Sequence, residues 1–535
     1  MNFRESVKKK ILPIVAVIMG LVLRVIGYDW GRPAIYQPDE AKMVHPVLDM
    51  ARNHSIISYN YLYPDQFMSK LQALALMIYD KISGIGFDES LQAYWICRII
   101  TALCGAATVL IVYLLGEKLR RNVGVISAFL VAVSPYMVAL SKQVTGDVVC
   151  LMGSAITMCF ALKYAEELKY RYIALMTFGS AAAMLEKWHG GGGTVFVALF
   201  ILIYSKSIKD FFIRGVIALS SFIGWIFVIA PNVLMNPGTV FTEGFLNMAV
   251  HDGETATFIE LFKYYAQWGF VHVGGTLYLI AFLAGVVISV SRKDKRYCVL
   301  LFGLIKAMEM SLLNRAVERW GLELYLSEMI CIAIFIEWMY SQNKVYLRVI
   351  SVCAAGVITL EGLSSSLCID LVAMLDKQDI RVRQEQYCIE HGITAENSIS
   401  SYYSAYSPGG YRPGGESERA EEDRSNVLVL DNGEWVRATD KDFFIWTDSE
   451  REKEEFTDYL EDRGLCIWSD KQQYYDVFTN PITGIDHSWN DVKLIGNNIK
   501  ACIELAGGAT VGRCDIKVYD ISSLPVRKSV QQNKD

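Results

Sequence analysis

Several short groups of residues in this chain combine types that do chemistry. Tyr36-Gln37-Pro38-Asp39-Glu40 sets two adjacent carboxylates a few residues beyond an apolar run. A carboxylate shielded at a membrane surface acts as general base on a hydroxyl or amine, or holds a cation beside a phosphate; two solvated loop acids are the plain alternative. Farther on, Tyr63, Pro64 and Lys70 precede the apolar stretch LQALALMIY, which predicts a short helix lying along an interface. The segment SKQVTGD carries Lys142 and Asp147, and Asp147 either caps the helix it opens or serves the chemistry. Glu186-Lys187-Trp188-His189, followed by four glycines, gathers a cation, an imidazole and pliant backbone at one place. Lys187 or His189 can contact a phosphate that the glycines let the backbone approach; a snorkelling Lys beside an interfacial Trp is the plain alternative. Asn314-Arg315-Ala316-Val317-Glu318-Arg319 holds two arginines in one tight turn. Each needs an anionic partner, which Glu318, Glu323 or a lipid-linked phosphate can supply.

The elements that must position these groups are membrane helices. Of 535 residues 53% are hydrophobic, and the mean hydropathy is +0.27, too apolar for a soluble protein whose helices expose one polar face. Before residue 370 the apolar residues fall into about eleven runs of roughly 17 to 25, the length that crosses about 30 Å of hydrocarbon. The first run, ILPIVAVIMGLVLRVIG, follows three lysines, but no small-residue cleavage site succeeds it, so it reads as a retained helix. The net charge of -6 says little, because charge in such a protein matters by side.

Basic connectors at Lys8 to Lys10, Lys118 to Arg121, Lys169/Arg171, Lys206 to Arg214, Arg292 to Arg296 and Lys344/Arg348 alternate with connectors of another character at 28–90, 142–147, 186–193, 232–272 and 314–319. Short cytoplasmic connectors carry the positive excess, so the second set is expected outside, together with everything from about residue 370. The expectation is a polytopic α-helical domain over 1–369, with the acidic pair on its outer loop 28–90, in the plasma membrane. An extracytoplasmic α/β domain is expected over 370–535. Within it, IRVRQEQYCIEHGI reads as an amphipathic helix, NVLVL, DFFIWT and LCIW as buried strands, and SEREKEEFTDYLEDRG as a charged helix ending at Gly464. A mobile Gly/Pro/Tyr-rich loop is expected over 401–424. Cys388, Cys466, Cys502 and Cys514 can form one or two disulfides of open connectivity. No Cys-x-x-Cys pair and no His/acid spacing matches a metal motif, so no cofactor and no metal ligand is expected, with dependence on a divalent ion left open.

In this order the pieces resemble the GT-C superfamily of polyprenyl-phosphate-sugar-dependent glycosyltransferases, in the branch of protein O-mannosyltransferases and the aminoarabinose transferase of lipid A. The likeness runs over roughly 11–390. It is densest in ICRIITALCGAATVLIVYLLGEKLRRNVGVISAFLVAVSPYMVALSKQVTGDVVCLM and continues in MLEKWHGG, PNVLMNP, WGFVHVGGTLYLIAFLAG and ERWGLELYLSEM. The chain departs from it in Trp320-Gly321-Leu322-Glu323, where many relatives have a Pro-rich continuation, and in Lys142, where they have Arg.

The resemblance implies a lipid-phosphate sugar donor at the outer membrane face, with Asp39 as the base that activates the acceptor and Glu40 beside it. It further implies that Asp147, with Tyr63 of the first loop, orients donor or acceptor. Lys187 and Arg319 would neutralise the leaving phosphate, joined by His189 and Arg315 as phosphate-binding candidates, and displacement would invert the anomeric carbon. Expected partners are the polyprenyl-phosphate-linked sugar, an acceptor that is a protein, lipid or envelope glycan, and the bilayer; nucleic acid is not among them. The competing classes are a transporter or flippase of a lipid-linked substrate, a polymerase or ligase using a diphospholipid, and a noncatalytic envelope assembly protein. A transporter places charges mid-helix and breaks helices at repeated positions. Here the unusual charges stand at helix ends.

Overall fold

The computed structural model describes residues 3–30, 38–58, 66–84, 91–246, 256–313, 316–375, 379–394, 396–400, 427–431, 433–447, 455–471, 473–475, 488–512 and 515–527. The expected loop 401–424, Tyr63, Arg315 and Cys514 lie outside the described residues. In chain order the helices are α1 (Phe3–Val25), α2 (Pro38–Arg52), α3 (Met68–Ser83), α4 (Leu91–Leu119), α5 (Val123–Ala132), α6 (Pro135–Ser141), α7 (Gly146–Glu167), α8 (Tyr170–Glu186), α9 (Gly192–Tyr204), α10 (Ile208–Ile229) and α11 (Pro231–Met235). The short α12 (Pro237–Thr239) runs into a π-helical α13 (Val240–Leu246). Then come α14 (Phe258–Val273), α15 (Thr276–Ser291), α16 (Leu301–Ser311), α17 (Leu322–Tyr340) and α18 (Val345–Met374).

Among the described residues, four helices are long and apolar enough to cross a membrane, and the pair α5/α6, bent by 57°, makes a fifth if it is one span. The expected count of about eleven is reached only by including shorter helices. α9 has 13 residues, about 20 Å at 1.5 Å per residue. Even so, each apolar run is helical, and a continuous core joins the helices from α1 to α18.

The two ends of this bundle differ in kind, as the alternating connectors predict. At one end the basic connectors bind one another: Lys118 pairs with Glu166 at 3.0 Å, Arg120 with Glu337 at 2.8 Å, and Arg296 donates to the Lys118 carbonyl at 2.9 Å. At the other end Phe67 and Met68 donate backbone N–H groups to Glu186, and Asn232 donates to the Ser58 carbonyl. Lys70 donates to the Ile229 carbonyl. Ser58, Phe67, Met68 and Lys70 of the 28–90 connector are thereby held at the ends of α8 and α10.

The bend at Ser134-Pro135 frees carbonyls at the end of α5, because proline cannot continue the ladder. Buried Arg24 of α1 takes those of Val131 and Ala132, at 2.9 and 3.0 Å, and Ser366 of α18 takes that of Val133 at 2.9 Å.

Beyond α18 the chain forms α19 (Ile380–Glu390), β1 (Ser398–Ser400), β2 (Leu428–Asp431), β3 (Glu434–Arg437), β4 (Phe443–Thr447), α20 (Glu455–Asp462), β5 (Cys466–Asp470), β6 (Tyr474–Tyr475), α21 (Asp491–Ala506), β7 (Val511–Gly512) and β8 (Ile516–Asp520). The main sheet has the order β1-β4-β8-β5, with β1 parallel to β4 and β8 antiparallel to both its neighbours. Successive strand residues point to opposite faces. Phe444, Trp446 and Tyr519 accordingly pack with Leu460 of α20, while Ile445 and Val518 pack with Ile380 and Cys388 of α19. Gly392 and Gly464 carry positive φ, 68° and 69°, just past the two helices that the sequence predicts.

Candidate active site

The acidic pair does not lie in coil. Asp39 and Glu40 occupy the first turn of α2, behind Pro38 at its start, where proline fits and acids complement the helix dipole. The Asp39 side chain lies outside the described residues. Glu40 is fully buried and takes both arms of Arg98: Nε donates to Oε1 at 2.9 Å and Nη2 to Oε2 at 2.6 Å. Arg98 also donates to the carbonyls of Trp30 and Tyr28 and lies over the Trp30 ring at 4.5 Å. The Val144 N–H adds a third bond to Glu40, at 2.7 Å. Glu40 therefore ties α2 to α4 and to the 142–147 connector, and brings the start of α2 beside the segment that carries Asp147.

Asp147 stands at the head of α7, where the Thr145 side chain caps the helix by accepting from the Asp147 N–H. Both Asp147 oxygens are 2.7 Å from Lys187 Nζ, across the gap to the end of α8. Arg319 and His189 add their fields to the same carboxylate. Asp147, Lys187, His189 and Arg319 thus converge from three separate connectors. Lys142 is turned elsewhere: it donates to the carbonyls of Leu23 and Ile26 and pairs with Asp370 at 2.7 Å, which binds α1 to α18.

The glycines after His189 approach protein, not open space. A Cβ on Gly190 would meet the Ala183 carbonyl oxygen at 2.3 Å, and one on Gly192 would meet Glu309 Oε2 at 2.1 Å. Their lack of a side chain lets the 188–191 turn fold against α8 and admits the Glu309 carboxylate.

Lys306 is the residue that the sequence reading passes over. It is 1% exposed and pairs with Glu309 at 2.5 Å and Glu323 at 2.8 Å, and it donates to the His189 carbonyl. Its signal is present in LFGLIKAMEM, a lysine inside an apolar run, and such residues mark functional sites. Glu323, weighed above as an arginine partner, accepts from Lys306 and from Ser154. Burial holds the His189 imidazole below its usual range, so it is neutral at physiological pH and the fixed positive charge comes from Lys187, Lys306 and Arg319. Cys150 Sγ, a His189 ring nitrogen and a Glu323 oxygen lie within 4.8 Å of one another. These donors suit a transition metal, although the Lys306 ammonium already occupies Glu323.

A cavity of about 600 Å³ opens between α14, α15, α16 and α17. Ala307 and Leu324, the neighbours of Lys306 and Glu323, line one end, and Arg292 and Tyr297 line the other, near the basic connectors. The walls between are Phe262, Phe282, Val286 and similar apolar groups, interrupted by Glu328. A long, largely apolar cavity of this kind suits a lipid chain.

Residues 90–235 match the family model described as dolichyl-phosphate-mannose-protein mannosyltransferase. No curated protein matches the chain by sequence. Among solved structures, ArnT from Cupriavidus metallidurans bound to undecaprenyl phosphate is similar over 96% of this chain and 99% of that one, at 11% identity and a TM-score of 0.50. The oligosaccharyltransferase of Archaeoglobus fulgidus in its apo form is similar over 70% of this chain, at 14% identity and a TM-score of 0.48. This chain spans 57% of the length of that protein. The protein O-mannosyltransferase Pmt1-Pmt2 complex of S. cerevisiae is similar over 44% of this chain and 34% of that one, at 19% identity and a TM-score of 0.33.

Proposed function

We propose, with the GT-C fold of membrane glycosyltransferases as the premise, that this chain moves a sugar from a polyprenyl-phosphate donor to an acceptor at the extracytoplasmic face of the plasma membrane. The observation that carries the reading is the gathering of the buried cations Lys187 and Lys306 at the 187–189 turn, with Asp147 and Glu323 paired to them. The cavity takes the lipid tail, and the cations meet the phosphate. The C-terminal α/β region, on the same side, is the part free to select the acceptor.

In the reaction Asp39 removes the proton of an acceptor hydroxyl or amine. The acceptor attacks the anomeric carbon on the face opposite the phosphate, the bond from that carbon to the phosphate oxygen breaks, and the configuration inverts. The lipid phosphate is a good leaving group, so the protein supplies a base and fixed positive charge, not covalent chemistry. Lys187, Lys306 and Arg319 stabilise the departing charge. Glu40 acts through Arg98 and Val144, holding the start of α2 against the connector of Asp147.

The test is turnover of a panel of radiolabelled polyprenyl-phosphate sugars by purified wild type and Asp39→Asn. The expected result is release from one donor by wild type and at least a hundredfold loss in a well-folded variant, about 2.7 kcal/mol of barrier. Equal rates remove Asp39 from the mechanism, and no turnover with any donor overturns the reading. One observation favours a second reading, transport of the lipid-linked substrate: Glu328, a buried acid within α17, stands on the cavity wall. Transbilayer movement of the donor in proteoliposomes without sugar transfer would decide for it.

A further inference from the structure

α21 comes from the C-terminal region, yet it lies along α18 and not on the sheet. Its buried face is Leu494, Asn498, Ala501 and Leu505. At its start the Trp489 carbonyl accepts from the Thr276 N–H at 2.9 Å and the Thr276 hydroxyl at 2.7 Å, and Asp491 Oδ1 accepts from the Leu277 N–H at 2.9 Å. These bonds cover the exposed N–H groups at the head of α15. Midway, Asn498 Nδ2 donates to Ser364 Oγ and Ser365 Oγ of α18, both at 2.8 Å.

One turn beyond Asn498 on α21 is Cys502, and one turn beyond Ser364 on α18 is Cys368. Their sulfurs are 3.0 Å apart, and Cys368 Sγ also donates to the Asn498 carbonyl at 3.1 Å. Asn498/Ser364 and Cys502/Cys368 are therefore consecutive rungs of one ladder between two helices. Cys368 is 1% exposed, while Cys502 is half-buried. Other bonds already hold both helices, so the approach of the two thiols costs no further chain entropy.

We propose that Cys368 and Cys502 are a disulfide site that staples the C-terminal region to the last membrane helix. Each thiol gives up its proton, one Sγ–Sγ bond forms, and the two electrons reduce the disulfide of a thiol–disulfide oxidase to two thiols. The pairing is not among the combinations of Cys388, Cys466, Cys502 and Cys514, because the partner of Cys502 belongs to a membrane helix. The inference rests on the reading that residues beyond α18 are extracytoplasmic, where such oxidants act. The staple would close a stretch of 134 residues, and a cross-link over so long a loop constrains the unfolded chain strongly.

The full chain, purified in detergent without reductant, is denatured in N-ethylmaleimide and its adducts are counted by mass spectrometry. The expected result is two fewer adducts than after dithiothreitol, with a linked peptide pair holding Cys368 and Cys502 in the unreduced digest. Cys502→Ser and Cys368→Ser should each abolish that difference, and dithiothreitol should lower the melting temperature of wild type but not of Cys502→Ser. Equal adduct counts with and without reductant overturn the staple. Sidedness is read separately by labelling Ile389→Cys, at a position 65% exposed on α19, in intact cells with an impermeant maleimide. Labelling from outside with equal adduct counts defeats the staple alone; labelling only after permeabilisation defeats the sidedness, and the staple with it.

Discussion

Glu40 and Arg98 form a bidentate pair with 0% and 2% of their surfaces exposed, and two backbone carbonyls and one backbone N–H complete it. Removing one partner of such a pair leaves an uncompensated buried charge, at a cost of about 3–5 kcal/mol. Arg98→Met and Glu40→Gln should therefore each lower the detergent melting temperature sharply. Glu40→Leu/Arg98→Leu should lose much less than the sum of the singles, and thermal melts of all three variants check this.

Lys306→Met/Glu309→Gln/Glu323→Gln removes the buried ammonium together with both of its carboxylates, so that no lone charge of this group remains. If Lys306 meets the donor phosphate, kcat/KM should fall by about 10- to 100-fold, matching about 1.5–3 kcal/mol for a bond to a charged group. Steady-state kinetics with the donor found in the panel give the value, and an unchanged kcat/KM would exclude that contact.

Gly153 of α7 and Gly179 of α8 face each other so closely that a Cβ on either would come within 2.6 Å of the carbonyl oxygen of the other. Small residues let membrane helices approach in this way. Gly179→Val should push the helices apart and cost about 1–3 kcal/mol as overpacking, read as a lower melting temperature, with the loss of Asp147–Lys187 alignment read as lower turnover.

The depressed pKa of His189 fixes the sign of a pH effect. Because burial lowers it from 6.5, the unfolded chain binds a proton there that the folded chain refuses as pH falls below that value. Stability is then fully present above pH 6.5 and declines on acidification toward the folded value. His189→Gln should flatten that decline, measurable as melting temperature against pH between about 5 and 7.

Much of the architecture was legible. Hydropathy located most of the long apolar helices, and DFFIWT and LCIW became β4 and β5. The misses have physical reasons. α2 reads as loop in the sequence because only its dipole-matched first turn, not an apolar stripe, announces it. α21 passed unnoticed because Gly496, Asn497 and Asn498 interrupt its apolar pattern, and its partner is another helix's serines and cysteine. At the site, residue types at connectors were readable one by one, and Asp147, Lys187, His189 and Arg319 do converge. Pairings across the bundle were not: Glu40 was expected in the chemistry, and its partner Arg98 lies 58 residues away. Lys306, a single lysine inside the apolar run LFGLIKAMEM, finds its partners Glu309 and Glu323 only in the fold.

The three freed carbonyls at the end of α5 are satisfied from two other helices, Arg24 of α1 and Ser366 of α18. That makes the corner a register gauge. One residue inserted into α1 before Arg24 would swing the guanidinium by about 100° and strand it in hydrocarbon, with Val131 and Ala132 bare. The phase of the first helix is thus locked to a bend more than a hundred residues downstream.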